Sequence, residues 1–71
     1  MRKKLLIHFG KNLKKERLDK SLSQEQLAEM ADLHRTYIGM LERGEKNITI
    51  LNLKRISKAL GITISKLTSD L

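Results

Sequence analysis

The sequence contains no cysteine, no proline and no tryptophan, and its aromatic residues are one phenylalanine and one tyrosine. Without cysteine there is no disulfide framework, no thiolate zinc site and no cysteine nucleophile. His8 and His34 have no companions at metal-ligand spacing, so no metal is expected. Single-stranded RNA stacks on exposed aromatic rings, and this chain has too few to build such a platform. Long apolar runs are missing as well. The segment Met1–Phe9 begins like a signal peptide, but its apolar run is only Leu5–Ile7 and charge resumes at Lys11. No stretch approaches the ~18 apolar residues of a membrane span, so no membrane partner and a cytoplasmic location are expected. No carboxylate pair, serine–histidine–aspartate set or phosphate loop has supporting context. An enzyme is therefore not expected, nor any cofactor.

What is present is basic charge. The 71 residues carry 15 Lys+Arg against 8 Asp+Glu, a net charge of +7. That length suits a single domain over residues 1–71. So small a domain has a thin core and depends on well-packed helices or on oligomerisation. A basic surplus points to nucleic acid or another anionic surface as partner. The surplus is uneven: residues 1–20 are net +6, residues 21–42 net −3, and residues 43–71 net +4.

The periodicity is helical nearly throughout, and strand alternation is weak. Leu6, Phe9, Leu13 and Leu18 mark a first helix over about residues 4–20, with Lys11, Lys14 and Lys15 on other faces. Ser23 and Gln26 form a capping-box pattern that opens a second helix, about Gln24–Met30, with Leu27, Ala28 and Ala31 inward. Asp32–Leu33 breaks it. A third helix runs from about His34 to Arg43, with Ile38 and Leu41 inward, and Gly44 stops it. Thr49 can cap a fourth helix whose inner face is Ile50, Leu53, Ile56 and Leu60, ended by Gly61. Thr63 can cap a short fifth helix carrying Ile64, Leu67 and Leu71. The expected fold is all-α.

Leu22 to Gly44 reads LSQEQLAEMADLHRTYIGMLERG: two short amphipathic helices joined by a tight turn, with small Ala28 and Ala31 where they must pack closely. That is the pattern of a helix-turn-helix, over about residues 24–43, whose second helix enters the major groove. In order and spacing, Phe9-Gly10, Leu22-Ser23-Gln24-Glu25 with Leu27-Ala28, Leu41-Glu42-Arg43-Gly44 and Ala59-Leu60-Gly61 resemble the Cro/repressor-type helix-turn-helix regulators of phages and bacteria. The resemblance, with a helix-turn-helix domain over about 13–67, implies a compact five-helix, phage-repressor-like DNA-binding domain. Arg35-Thr36-Tyr37-Ile38 followed by Glu42-Arg43-Gly44-Glu45-Lys46-Asn47-Ile48-Thr49-Ile50 is most similar to the controller proteins of restriction–modification systems. Four departures stand out. Ser21 and Asp32 occupy places where relatives often have glycine, and Gly39 lies inside the recognition helix. Ile48 stands where proline often follows the loop asparagine.

Arg35 falls at the start of the third helix, where arginine can donate two hydrogen bonds to guanine, and Thr36 beside it can meet a base edge or a thymine methyl. These two are the expected base contacts. Gln24, at the N-terminus of the second helix, is the expected phosphate contact that the resemblance implies, set among free N–H groups at a positive dipole end. Further backbone contacts are expected from His34, Tyr37, Arg43, Lys46, Asn47 and Asn52, with Tyr37 on an exposed flank and His34 also able to cap its helix. The resemblance implies that Arg17 and Glu42 pair structurally across the first and third helices. It also implies a homodimer joined through Ile62, Ile64, Leu67 and Leu71, on an approximately palindromic double-stranded operator, with RNA polymerase as a partner when it activates. The alternatives are a phage or plasmid repressor, a DNA-binding antitoxin and, from a different class, a basic RNA-binding or protein-interaction module.

Overall fold

Short apolar stripes separated by capping residues should give short helices, and the computed structural model, which describes residues 2–71, has five of them. They are α1 (Arg2–Asp19), α2 (Gln24–Ala31), α3 (Arg35–Glu42), α4 (Ile50–Leu60) and α5 (Ile64–Leu67). There is no strand among the described residues. The three expected N-caps are in place. The Ser23 hydroxyl accepts from the Gln26 amide while the Gln26 side chain accepts from the Ser23 amide. Thr49 and Thr63 accept from the backbone amides of Asn52 and Lys66. Each cap satisfies N–H groups that the first helical turn cannot use itself.

The helix ends share one solution. After α1, α2, α3 and α4, a residue with left-handed backbone turns the chain: Ser21 (φ 58°), Asp32 (φ 57°), Gly44 (φ 72°) and Gly61 (φ 67°). In each case the next amide reaches back to a carbonyl in the last helical turn. Examples are Leu22 N–H to Arg17 O at 3.1 Å and Glu45 N–H to Met40 O at 2.9 Å. This double closure satisfies orphaned carbonyls and needs no proline. Glycine adopts the conformation freely, and aspartate more readily than most residues. Serine at position 21 carries a steric cost.

The core consists of Phe9, Leu13, Leu27, Ala28, Ala31, Ile38, Leu41, Ile56, Leu60 and Leu67. α1 packs on α3 and α5, α2 packs on α3 and α4, and α5 closes against α4. Asn12 ties α5 to α1 by donating to the carbonyls of Leu67 (3.2 Å) and Ser69 (2.9 Å). α1 and α3 approach so closely at Gly10 that a Cβ there would lie 2.5 Å from the carbonyl oxygens of Leu41 and Glu42.

Two apolar residues leave the faces expected for them. Leu18 is 55 % exposed, because five residues beyond Leu13 is off the stripe; Glu16 and Arg17 complete that face instead. Ile50 is 83 % exposed. It is the first residue of α4, and stepping back three residues from Leu53 rotates the side chain out of the Leu53–Ile56–Leu60 face.

Ser21 is exposed and its side chain makes no hydrogen bond among the described residues, so only its backbone conformation costs stability. Ser21→Gly should therefore stabilise the domain by about 1 kcal/mol and raise Tm by about 4–8 °C. An unchanged or lower melting temperature by circular dichroism would count against strain at this turn.

Candidate nucleic-acid interface

α3 turns Ile38 and Leu41 inward and buries Gly39 against α2. Helical spacing then sets Thr36, Met40 and Arg43 on the opposite face, with Arg35 on the α2 side and Tyr37 on the α4 side. Arg35 and Thr36 are both exposed. The Arg35 guanidinium lies 3.7 Å from the Glu25 carboxylate, with both side chains mostly in water. Such a pair is weak and readily exchanged for a stronger acceptor. Met40, half-buried on this face, was not singled out from the sequence; its spacing of four residues from Thr36 was the signal that could have found it.

His34 is the N-cap of α3: its Nδ1 accepts from the Thr36 amide at 3.2 Å. The ring therefore fixes the start of the helix that carries Arg35 and Thr36. Tyr37 is not on an open flank. Its ring is half-buried and packs against the core. The Asn52 amide donates to the Tyr37 hydroxyl oxygen at 3.1 Å. Beyond α3, Arg43 pairs with Glu45 at 3.0 Å, Lys46 is exposed, and the Asn47 side chain accepts from the Ile48 amide at 2.9 Å.

The interface is anchored from behind by a buried charge network. Arg17 donates through Nε to Glu42 Oε2 at 2.6 Å and through Nη2 to Glu42 Oε1 at 2.9 Å. Its Nη1 donates to the Leu22 carbonyl at 2.8 Å. Gln24 adds a third donor to Glu42, at 3.0 Å. The Arg17 and Glu42 side chains are only 8 % and 3 % exposed. Hydrogen bonding to Glu42 raises the Arg17 pKa above the ordinary arginine range, burial opposes that shift, and attraction to the carboxylate adds to it. A raised pKa means that the stabilisation is present below the ordinary arginine value, so the pair holds throughout the neutral range.

Gln24 thus stands at the mouth of the groove between α2 and α3, where Ser23, Arg35, Thr36, Gly39 and Arg43 also line the surface. A Cβ on Gly39 would sit 3.1 Å from the Arg43 guanidinium and 3.5 Å from Gln24 Oε1, so the missing side chain leaves these groups room. Gln24, Arg35, Thr36 and Arg43 come together on one surface, with Tyr37 and Asn52 at its other edge. Ile62 and Ile64 are half-buried and Leu71 is exposed at the far end of the domain. Leu67 is a correction to the expected dimer contacts: it is fully buried, and the subunit's own core takes up its side chain. No group of metal-ligating side chains forms, and no helix is long and apolar enough to cross a membrane, among the described residues.

Comparison with known proteins gives the same geometry a context. A helix-turn-helix family model, HTH_3, matches residues 13–67. The control protein C.MunI of a Mycoplasma species is 50 % identical over 66 residues, covering 92 % of this chain and 89 % of that protein. The control protein C.BamHI of Bacillus amyloliquefaciens is 48 % identical over 63 residues, covering 87 % and 78 %. The crystal structure of the restriction–modification controller protein C.AhdI from Aeromonas hydrophila superposes with a TM-score of 0.86 at 40 % identity, covering 87 % of this chain and 94 % of that one.

The buried pair predicts an asymmetric response to mutation. Glu42→Ala leaves the Arg17 charge buried without its partner and should cost about 3–5 kcal/mol. Replacing both residues by methionine and leucine should cost clearly less than the single change. Chemical denaturation of the three proteins tests this; equal losses for the single and double variants would contradict it.

Proposed function

Since the chain belongs to the HTH_3 helix-turn-helix family and is similar to control proteins along most of their length, we propose that it is the DNA-binding transcriptional regulator of a restriction–modification system. In this reading it acts in the cytoplasm as a homodimer on an approximately palindromic operator at its own promoter region. The observation that carries the reading is the exposed face of α3, with Arg35 and Thr36 at its free N-terminal end and Gln24 and Asn52 at its two edges. α3 supplies discrimination through Arg35 and Thr36. Gln24, Tyr37, Arg43, Lys46 and Asn47 bind the phosphate backbone, which fixes register and makes affinity salt-dependent.

Dimerisation follows from the thin core and from the apolar side chains left outside it. Ile62, Ile64 and Leu71 form the contact, and Leu67 supports it from within the subunit. Two subunits then set their α3 helices one DNA turn apart, about 34 Å. Promoter occupancy represses, or activates where it brings RNA polymerase to a neighbouring site.

Arg35→Ala should weaken operator binding by about 1–3 kcal/mol and relax preference at a single base pair. Competition titrations with the upstream duplex, single-base variants, a random duplex and an RNA duplex test this. Unchanged relative affinity for specific and random DNA would remove Arg35 from the base-reading role, and preference for RNA would remove the function itself.

A further inference from the structure

α5 is a single turn of four residues, too short to hold its shape by its own hydrogen bonds. The Thr63 cap closes its start, and Leu67 plugs it into the core. Its last carbonyls have no further helical turn to bond them. Asn12, on α1, supplies the missing donor. Its Nδ2 reaches the Leu67 carbonyl at 3.2 Å and the Ser69 carbonyl at 2.9 Å, so one amide spans the end of α5 and the turn after it. Neither carbonyl accepts a backbone amide among the described residues. One turn further along α1, the buried Glu16 carboxylate lies 3.9 Å from the Lys66 ammonium. α1 therefore grips α5 at two successive points, and both grips are polar.

The same end of the domain carries Ile62 and Ile64, half-buried, and Leu71, exposed. Ile64 shares its one helical turn with Leu67, whose carbonyl Asn12 holds. A contact made by a loose segment costs ordering at the moment of association, and a segment already ordered avoids that cost. Resting on the reading of the chain as a homodimer joined at this end, we propose that Asn12 is a positioning residue for dimerisation. It fixes α5 in the free subunit, so that Ile62, Ile64 and Leu71 meet the partner already in place. Glu16 assists through Lys66.

Asn12→Ala should raise the dimer dissociation constant about tenfold in sedimentation equilibrium. Glu16→Gln should raise it by less, and the far-ultraviolet circular dichroism of both variants should match the parent's. With parent and Asn12→Ala both held dimeric by concentration, hydrogen exchange should speed at the amides of Leu67 and Thr68, which close α5, and stay unchanged in α2 and α3. Operator binding by Asn12→Ala should weaken at low protein concentration. Joining two variant copies by a long flexible linker should bring it level with a linked parent, because the linker supplies the association that α5 no longer favours. The proposal is overturned if Asn12→Ala dimerises like the parent. It is equally overturned if dimerisation weakens while α5 exchange is unchanged, since Asn12 would then touch the partner itself. A linked variant that still binds more weakly than the linked parent also overturns it, because the loss would lie in the fold or the reading face. A parent protein that sediments as a monomer at every concentration removes the homodimer reading, and the proposal with it.

Discussion

Arg17 and Glu42 bring two full charges out of water in a domain whose described core is ten apolar side chains. Desolvation on that scale is repaid only when the geometry is good and every remaining donor and acceptor is used. Here the guanidinium meets the carboxylate with two parallel hydrogen bonds, the strongest form of this pair. Its third donor goes to the carbonyl of Leu22, just before α2, and Gln24 in the first turn of α2 completes the carboxylate's shell. The network therefore joins α1, the start of α2 and the last residue of α3. Apolar packing between short helices tolerates sliding, whereas a bidentate pair does not. The placement of α3 against α1 and the start of α2 is fixed by this network and by the close approach of α1 and α3 at Gly10.

Seen from the DNA side, α3 is bracketed by two amides. Gln24 is the first residue of α2 and Asn52 lies in the first turn of α4. Each donates into a neighbour on α3: Gln24 to Glu42, Asn52 to Tyr37. The two brackets differ in strength. Gln24 donates to a buried carboxylate already paired with Arg17, while Asn52 meets a single hydroxyl. Arg35 stands at the α2 edge, beside Glu25.

The fold was largely legible because its signals are local. Ser23, Thr49 and Thr63 announced their helices, and Gly44 and Gly61 announced the ends. Arg35 and Thr36 were legible because their position next to a helix start sets their exposure. What sequence could not supply was the effect of one helix on another's surface. Tyr37 reads as exposed along α3 alone, and only its packing on the core and its bond from Asn52 show that it is half-buried. Leu67 reads as surplus apolar surface until α1 and α4 close over it. Ile50 reads as core because it sits three residues before Leu53, although as the first residue of α4 it lies at the margin of the Leu53–Ile56–Leu60 face. The Arg17–Glu42 pairing came through family likeness; its further reach to Leu22 and Gln24 required three dimensions.

The charge distribution assigns different work to different parts of the chain. The helix-turn-helix segment is net negative, so under the proposed reading most of the attraction to DNA comes from the rest of the chain. On α1, Lys3, Lys4, Lys11, Lys14 and Lys15 are all exposed, and of these only Lys15 is paired with carboxylates, those of Glu16 and Asp19. Exposed, unpaired lysines act mainly through the long-range field, which speeds encounter and is screened by salt. Under the proposed reading, short-range hydrogen bonds from α3 to DNA decay far less with salt and differ between sequences. Separating the two lets the basic surplus hold the protein near any DNA without committing the reading face to the wrong site. A reading face with a surplus of positive charge would grip random phosphates almost as well as its operator. Under the proposed reading, Glu25, 3.7 Å from the Arg35 guanidinium, weakens that nonspecific grip until a guanine offers two acceptors at once.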